Sequence, residues 1–389
     1  MIADLSVKLI SFAIIYKLAT ILGPEYYGKY ALTISLIAFL KLFTNLNTDL
    51  LGTREVSKSK KISLLYLNNI IFVKTILFVL SLFTLSFLIY QIYEDIVILK
   101  LFLILALTVL IENFYALWFF QAFNNFKLKA IIQIIQYSMY LILVMLFIDN
   151  LNDIFNVAIF YLFSSLIALS IPLNILFRRY KLTQLSFSFQ KKIIKQGTVL
   201  AASQLVIYIY LNTDKLFLGY FYSDEIVGFY DIAYKFFTAL SVVTFGIWSI
   251  FLPKISNIKN VEEFLVYRKM MFFSGSILAL LLMVFHEEII DLTFGVAYND
   301  SKIILFYLGI NLFVVTLNGI YASPLQLWNE ESYFLKIVSI SAVLNVFLNL
   351  ILIPTYSMEG AIIATIASEI LVLILAYSKF KRIRKCIKV

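Results

Sequence analysis

The sequence predicts an all-α polytopic membrane protein with twelve transmembrane helices in two six-helix lobes. Three observations carry that prediction. First, 62% of the 389 residues are hydrophobic and only 14% are charged, more apolar side chain than a soluble core of this size buries. Second, twelve apolar runs of about 20 residues, the length that crosses a bilayer, are separated by short polar breaks. Third, one pattern occurs twice: Leu22-Gly23 followed by Glu25, Gly28 and Tyr30, and Leu218-Gly219 followed by Glu225, Gly228 and Tyr230. The two glutamates stand 200 residues apart, and Gln121 with Asn124 is echoed later by Gln326 with Asn329. Two echoes in the same order indicate an internal duplication.

The runs fall near 3–22, 30–50, 65–91, 96–118, 130–148 and 154–177 in the first half. Those of the second half fall near 198–221, 228–251, 270–287, 302–322, 333–353 and 360–378. Only helices and closed barrels satisfy their backbone in lipid, and runs this long without strict alternation are helices. The domain reading is therefore a lobe at 1–180, a linker at 181–197, a second lobe at 198–378 and a basic tail at 379–389. Six spans in each half is an even number, so both halves enter the membrane in the same direction, related by a parallel pseudo-two-fold. The first span starts at Met1 without a cleavable-signal pattern, and a few residues are expected to precede it.

Charge placement sets the orientation. Arg54, Lys58, Lys60 and Lys61 follow the second span, and Lys127 and Lys129 the fourth. Arg178, Arg179, Lys181, Lys191, Lys192 and Lys195 follow the sixth, while Lys254, Lys259, Arg268 and Lys269 follow the eighth. The tail adds Lys379, Lys381, Arg382, Arg384, Lys385 and Lys388. The opposite loops carry Glu94, Asp95, Asp149, Asp153, Asp224, Glu225, Glu287 and Glu288. By the positive-inside rule both termini are cytoplasmic. Orientation and anionic lipid headgroups thus account for the net charge of +9, and no nucleic-acid partner is implied. Cys386 offers neither disulfide nor metal cluster, and His286 reads as an interface residue.

No phosphate-binding loop, dinucleotide fingerprint or His-Glu-x-x-His motif is present, so no cofactor is expected and the chain is not read as an enzyme. Outward loops are short, the longest about 287–301, leaving no room for the catalytic loop of a membrane glycosyltransferase. A helical transporter or a scaffold remains.

Ionisable groups at membrane depth are costly and normally face a cavity or a partner. On the second span Lys41, Thr44, Asn45, Thr48 and Asp49 are spaced to form one stripe; on the fifth, Gln133, Gln136, Tyr137 and Tyr140 repeat the spacing. Gln204, Tyr208, Asn212 and Lys215 line a face of the seventh span beside Asp214, and Asp231, Tyr234, Lys235 and Thr238 one of the eighth. A short loop brings Asp214 and Lys215 to the depth of Asp231 and Lys235, where cross-pairing is available. Ser341, Asn345 and Asn349 recur at intervals of four, Glu369 sits mid-span, and Glu112 with Asn113 lies on the fourth span. Lys8 is expected to snorkel, Lys74 either to snorkel or to line a cavity, and Asp214 with Lys215 either to line it or to pair structurally. The expected substrate-binding set is Lys41, Asn45, Asp49, Lys74, Gln133, Gln136, Gln204, Tyr208, Lys215, Lys235, Asn345 and Asn349. A lysine-bearing wet cavity suits a lipid-borne pyrophosphate, and amides and hydroxyls suit sugars. Glu369, Glu112, Asp214 and Asp231 are the candidates for carrying a coupling proton or sodium ion.

Five segments resemble, in order, the bacterial polysaccharide repeat-unit flippases of the Wzx type. They are Leu22-Gly23-Pro24-Glu25 with Tyr27, Gly28 and Tyr30; Gly52-Thr53-Arg54-Glu55; Trp118-Phe119 with Gln121 and Phe126, where Ala122 replaces a glycine; Asp214-Lys215 with Leu218-Gly219, Val227-Gly228 and Tyr230; and Asn349 with Leu352-Ile353-Pro354, Gly360-Ala361 and Ala364. Ser357-Met358-Glu359 departs from the pattern, which has a glycine before the Gly-Ala pair. The resemblance implies a fold like that of multidrug exporters, with two six-helix lobes around a central cavity. It also implies flipping of undecaprenyl-pyrophosphate-linked oligosaccharide by alternating access for O-antigen- or capsule-type polymer. Membrane lipids, a polysaccharide polymerase and chain-length proteins are the further partners implied. A small-molecule antiporter of the same fold and a non-transporting scaffold are the alternatives; the lysines speak against the first and the polar stripes against the second.

Overall fold

The computed structural model describes residues 2–179, 185–257 and 260–387. Lys181, Lys259 and Lys388 lie outside the described residues, as do linker positions 181–184 and the side chains of Arg178, Arg179, Arg384, Lys385 and Cys386. No strand occurs among the described residues. Among the described residues nine helices are long and apolar enough to cross a membrane, or ten if one bent pair counts as a span.

The chain separates into two compact units, Met1–Tyr208 and Ile209–Val389, with the boundary inside a helix. The first holds α1 (Ile2–Asn45), α2 (Thr48–Lys58), α3 (Ser63–Tyr93), α4 (Ile96–Tyr115), α5 (Leu117–Ala122), α6 (Phe126–Phe147) and α7 (Ile154–Arg179). Helix α8 (Phe187–Phe221) runs across the boundary. The second unit continues with α9 (Asp224–Ile255), α10 (Val261–Val284), α11 (His286–Thr293), α12 (Ser301–Tyr321) and α13 (Glu331–Ile387).

Local chemistry sets the ends. Asp95 caps α4 by accepting from the backbone N–H groups of Val97 and Ile98, and α4 stops where Ala116 turns left-handed (φ 45°). Asn125 caps α6 and Ser223 caps α9. In the first unit α1 packs on α3, α4 and α6, and α4 on α7. In the second, α12 packs on α9, α10 and α13. Gly275 lets α10 approach α12 closely: a β-carbon there would lie 2.2 Å from Thr316 Cγ2.

Two helices are far longer than a bilayer needs. At 1.5 Å per residue, the 44 residues of α1 run ~66 Å against a hydrocarbon core of ~30 Å, and α13 has 57 residues. Each is broken inside: α1 at Gly23 (φ 65°, ψ 174°), followed by Pro24, and α13 at Ser357 (φ 51°, ψ −131°). These breaks fall where the sequence predicts loops between successive spans.

Several expected boundaries differ. The span expected at 30–50 ends at Asn45, because Leu46 and Asn47 both adopt positive φ and the chain restarts as α2. Asn45 stabilises the restart by accepting from the Asp49 N–H at 3.3 Å, while Thr48 Oγ1 donates to the Asn45 carbonyl. The stripe from Lys41 to Asp49 is therefore cut in two, and Thr44 is fully buried. The expected span at 96–118 likewise breaks at Ala116. The span expected to begin at 198 begins as a helix at Phe187 and bends by 51° between Ala202 and Gln204, so positions 187–197 of the expected linker are helical. The loop at 287–301, which the sequence expects to face outward, holds most of α11 and a short 3₁₀ turn, with His286 Nδ1 3.0 Å from the Met283 carbonyl oxygen.

Candidate functional site

The first unit encloses a cavity of about 420 Å³. The break between α1 and α2 contributes Asn45, Asn47 and Asp49 to its wall, Asp49 against Lys74 of α3 and Asn47 donating to the Leu200 carbonyl of α8. Lys41, Asn45, Asp49, Lys74, Glu112, Gln133, Gln136, Gln204 and Tyr208 all line it. Nine expected residues, from α1, α2, α3, α4, α6 and α8, thus meet in one place.

The cavity is charge-balanced rather than cationic. Lys41 Nζ lies 2.8 Å from Glu112 Oε2, and Lys74 Nζ 2.5 Å from Asp49 Oδ1. The second pair is lopsided: the Lys74 side chain is 5% exposed and that of Asp49 40%. Asn45 Nδ2 donates to Asp49 Oδ2 at 3.1 Å, and Tyr161 OH to Glu112 Oε1 at 3.3 Å. Gln136 Nε2 donates to Ser165 Oγ at 2.9 Å, which fixes its amide. Each lysine thus lines the cavity together with a carboxylate partner. At low dielectric a carboxylate stabilises the ammonium that desolvation would penalise.

Elsewhere in this unit Lys29 Nζ donates to Asp95 Oδ2, and Lys17 pairs with Asp149 at 3.4 Å. Burial alone raises the Asp95 carboxyl, but the Lys29 ammonium and the Val97 and Ile98 N–H groups outweigh it and hold the group below its ordinary range. On α2 Glu55 is also lowered: desolvation opposes the shift, and the hydrogen bonds and charges of Lys58 and Arg54 together outweigh it.

In the second unit the expected residues fall into three groups. Lys215 and Lys235 converge on Asp231, at 2.8 and 3.4 Å, with Asp231 1% exposed. Asp214 joins neither lysine by a direct bridge. Its Oδ2 accepts from Tyr230 OH at 2.6 Å and Thr365 Oγ1 at 3.0 Å, and its Oδ1 from Asn349 Nδ2 at 2.6 Å. Asn345 extends this buried net by donating to Thr365 Oγ1 and accepting from Asn349. Half of the expected cross-pairing is thus formed, and Asp214 is held by neutral donors instead. The third group is Glu369, which lines a second cavity of about 420 Å³ with Ser341. Lys215, Lys235, Asn345 and Asn349 line neither of these two cavities. No cluster of three or more His, Cys, Asp or Glu suited to a metal ion occurs among the described residues.

Sequence spacing missed Asn47, Tyr161 and Trp118 in the first cavity, and Tyr210, Trp248 and Asn318 in the second. Asn311 and Asn318, seven apart on α12, were a legible signal, since two turns return to the same face. Trp118 reaches the cavity only because the chain breaks at Ala116.

A family profile described as "Polysaccharide biosynthesis protein" matches residues 1–259. The chain is 22% identical over 369 residues to the putative O-antigen transporter of Escherichia coli K12, covering 90% of this chain and 88% of that protein. Its fold matches the lipid II flippase MurJ in an inward closed conformation with a TM-score of 0.83 at 16% identity, over 98% of this chain and 87% of that one. It also matches an inward-facing multidrug resistance MATE family transporter of the MOP superfamily with a TM-score of 0.78 at 16% identity, over 97% and 96% of the chains. The fold is therefore that of these solved structures, a multi-pass all-α membrane protein. Since the profile spans well over half of its length, this chain belongs to the polysaccharide biosynthesis protein family.

Proposed function

We propose that the protein is a secondary transporter that flips undecaprenyl-pyrophosphate-linked oligosaccharide repeat units across the inner membrane for O-antigen- or capsule-type polymer. The observation that carries this reading is the first cavity, where two lysines stand among amides and hydroxyls within a membrane-embedded bundle. Family membership and the likeness to an O-antigen transporter support it. The break at Gly23 and the break at Ser357 support counting α1 and α13 as two passes each. With α8 that makes twelve spans, with both termini cytoplasmic.

In this reading Lys41 and Lys74 hold the pyrophosphate as point charges, while Asn45, Gln133, Gln136, Gln204 and Tyr208 meet sugar hydroxyls. Because Glu112 and Asp49 already occupy the lysines, an arriving phosphate must replace a carboxylate. A carboxylate released in a low-dielectric cavity is expensive to leave unpaired, so Glu112 must find another partner as Lys41 turns to the phosphate. Substrate entry is thereby linked to the state of one ion pair. In the second unit Asp214 is our choice for a coupling proton or sodium ion, because its carboxylate is buried among oxygen- and nitrogen-bearing neutral groups. Asp231 is already occupied by two lysines.

The test is export in cells lacking the gene. Lipid-linked repeat units should accumulate on the inner leaflet, and the wild-type gene should clear them. Lys41→Ala and Glu112→Ala should each lower clearance by at least about tenfold, the effect of one charge-assisted contact. Full clearance by both variants sinks the assignment.

A further inference from the structure

Among the described residues that line the first cavity, two buried polar atoms have no hydrogen-bond partner, Asn113 Nδ2 and Trp118 Nε1. Asn113 is 6% exposed and Trp118 2%. Both atoms are N–H donors, and a buried donor left unmatched is costly. The lysines beside them are already spent on Glu112 and Asp49. The fold seats the indole from its other side. Gly52 of α2 lies so close to it that a β-carbon there would come within 2.6 Å of both Trp118 Cε3 and Cζ3, the ring atoms away from Nε1. Leu51, Val56 and Ile70 belong to the same buried cluster as Trp118. Just beyond α2, Lys60 Nζ donates to the Ala122 carbonyl at the end of α5 and stands 4.2 Å from the Phe123 ring centroid. Two of the segments singled out in the sequence, at Gly52 and at Trp118, thus meet in one seat, and a ring packed this closely keeps one orientation.

These features select the kind of ligand atom that completes the wall. A sugar hydroxyl accepts from an N–H but brings a proton of its own, and no buried acceptor without a partner occurs among the described lining residues. A sugar carbonyl brings no proton but carries no charge. A phosphoryl oxygen brings no proton and is anionic, which roughly doubles the strength of each hydrogen bond it accepts. We propose that Asn113 and Trp118 form the phosphoryl-oxygen subsite of this cavity, donating to a lipid-borne pyrophosphate beside Lys41 and Lys74. The inference rests on the reading of the cavity as the site of a lipid-linked pyrophosphate, and adds which neutral groups recognise it. Neutral donors have no partner to give up, so they engage the phosphate before either lysine leaves its carboxylate.

The experiment follows the indole N–H resonances of the full-length protein in detergent, labelled at tryptophan. The chain has three tryptophans, so the signal lost in Trp118→Phe, or the one kept when Trp248→Phe and Trp328→Phe are combined, belongs to Trp118. Undecaprenyl pyrophosphate should move that signal downfield, because a hydrogen bond to an anion deshields the proton. Undecaprenol and a phosphate-free acetamido disaccharide should leave it in place, and inorganic pyrophosphate should act only at much higher concentration. Trp118→Phe, which keeps a ring against Gly52 and removes the donor, and Asn113→Leu should each weaken undecaprenyl pyrophosphate binding by about tenfold or more. Thermal melting reports whether each variant folds; if Trp118→Phe does not, the resonance shift and Asn113→Leu still decide. Binding that Lys41→Ala weakens, with the Trp118 signal unmoved and both folded variants at wild-type affinity, overturns this subsite and leaves the reading of the cavity standing. No binding of undecaprenyl pyrophosphate to the wild type overturns both. A shift caused by the disaccharide, or inorganic pyrophosphate as potent as the lipid, also overturns the proposal.

Discussion

The pair between Lys74 and Asp49 predicts an asymmetry that a count of salt bridges would miss. Removing either partner breaks the same 2.5 Å contact, but the groups left behind differ. Lys74→Met leaves Asp49, whose side chain is 40% exposed to the cavity and keeps its hydrogen bond from Asn45. Water can solvate that carboxylate, so the loss is on the order of 1 kcal/mol, as for an exposed pair. Asp49→Ala leaves the Lys74 ammonium with a side chain only 5% exposed. Stranding a buried charge costs ~3–5 kcal/mol. For a unit of about 200 residues each kcal/mol shifts the melting temperature by ~2–4 °C, so the two single variants should differ by at least ~4 °C. The double variant should melt above Asp49→Ala, because it removes the stranded ammonium. The assay is thermal unfolding of the detergent-solubilised protein for the wild type, both singles and the double. Lys74→Met as damaging as Asp49→Ala, or a double variant whose loss equals the sum of the singles, would refute the reasoning.

Other outcomes follow from single features. Ser357 holds a backbone conformation that only glycine adopts without strain, and its hydroxyl has no partner, so Ser357→Gly should raise stability by ~1–3 kcal/mol in the same melting assay. Gly275→Ala places a methyl 2.2 Å from Thr316 Cγ2 and should cost ~1–3 kcal/mol, with Thr316→Ala restoring part of it. Asp95 has a carboxyl held below its ordinary range, so its stabilisation is complete above the ordinary carboxylate pKa and is lost as pH falls through the lower folded value. Melting temperature measured from neutral to strongly acid pH should fall more steeply in the wild type than in Asp95→Asn.

The sequence by itself determined the class, the direction of the spans' polar faces and most of the first cavity's lining. Hydropathy is a local sum, and a helical period fixes which residues share a face before any partner is known. That is why Gln133 and Gln136, or Gln204 and Tyr208, were legible as linings from spacing alone. Pairing was not, because it depends on how two helices register against each other. Lys41 meets Glu112 and Lys74 meets Asp49 only through packing and through the break at Leu46–Asn47, a backbone event that no hydrophobic period announces. The same holds in the second unit. Four charges at matching depth made cross-pairing available, yet Lys215 and Lys235 both take Asp231, while Tyr230, Thr365 and Asn349 enclose Asp214. Tertiary structure decided which charges are cancelled, since at low dielectric a few ångströms separate a satisfied carboxylate from a free one.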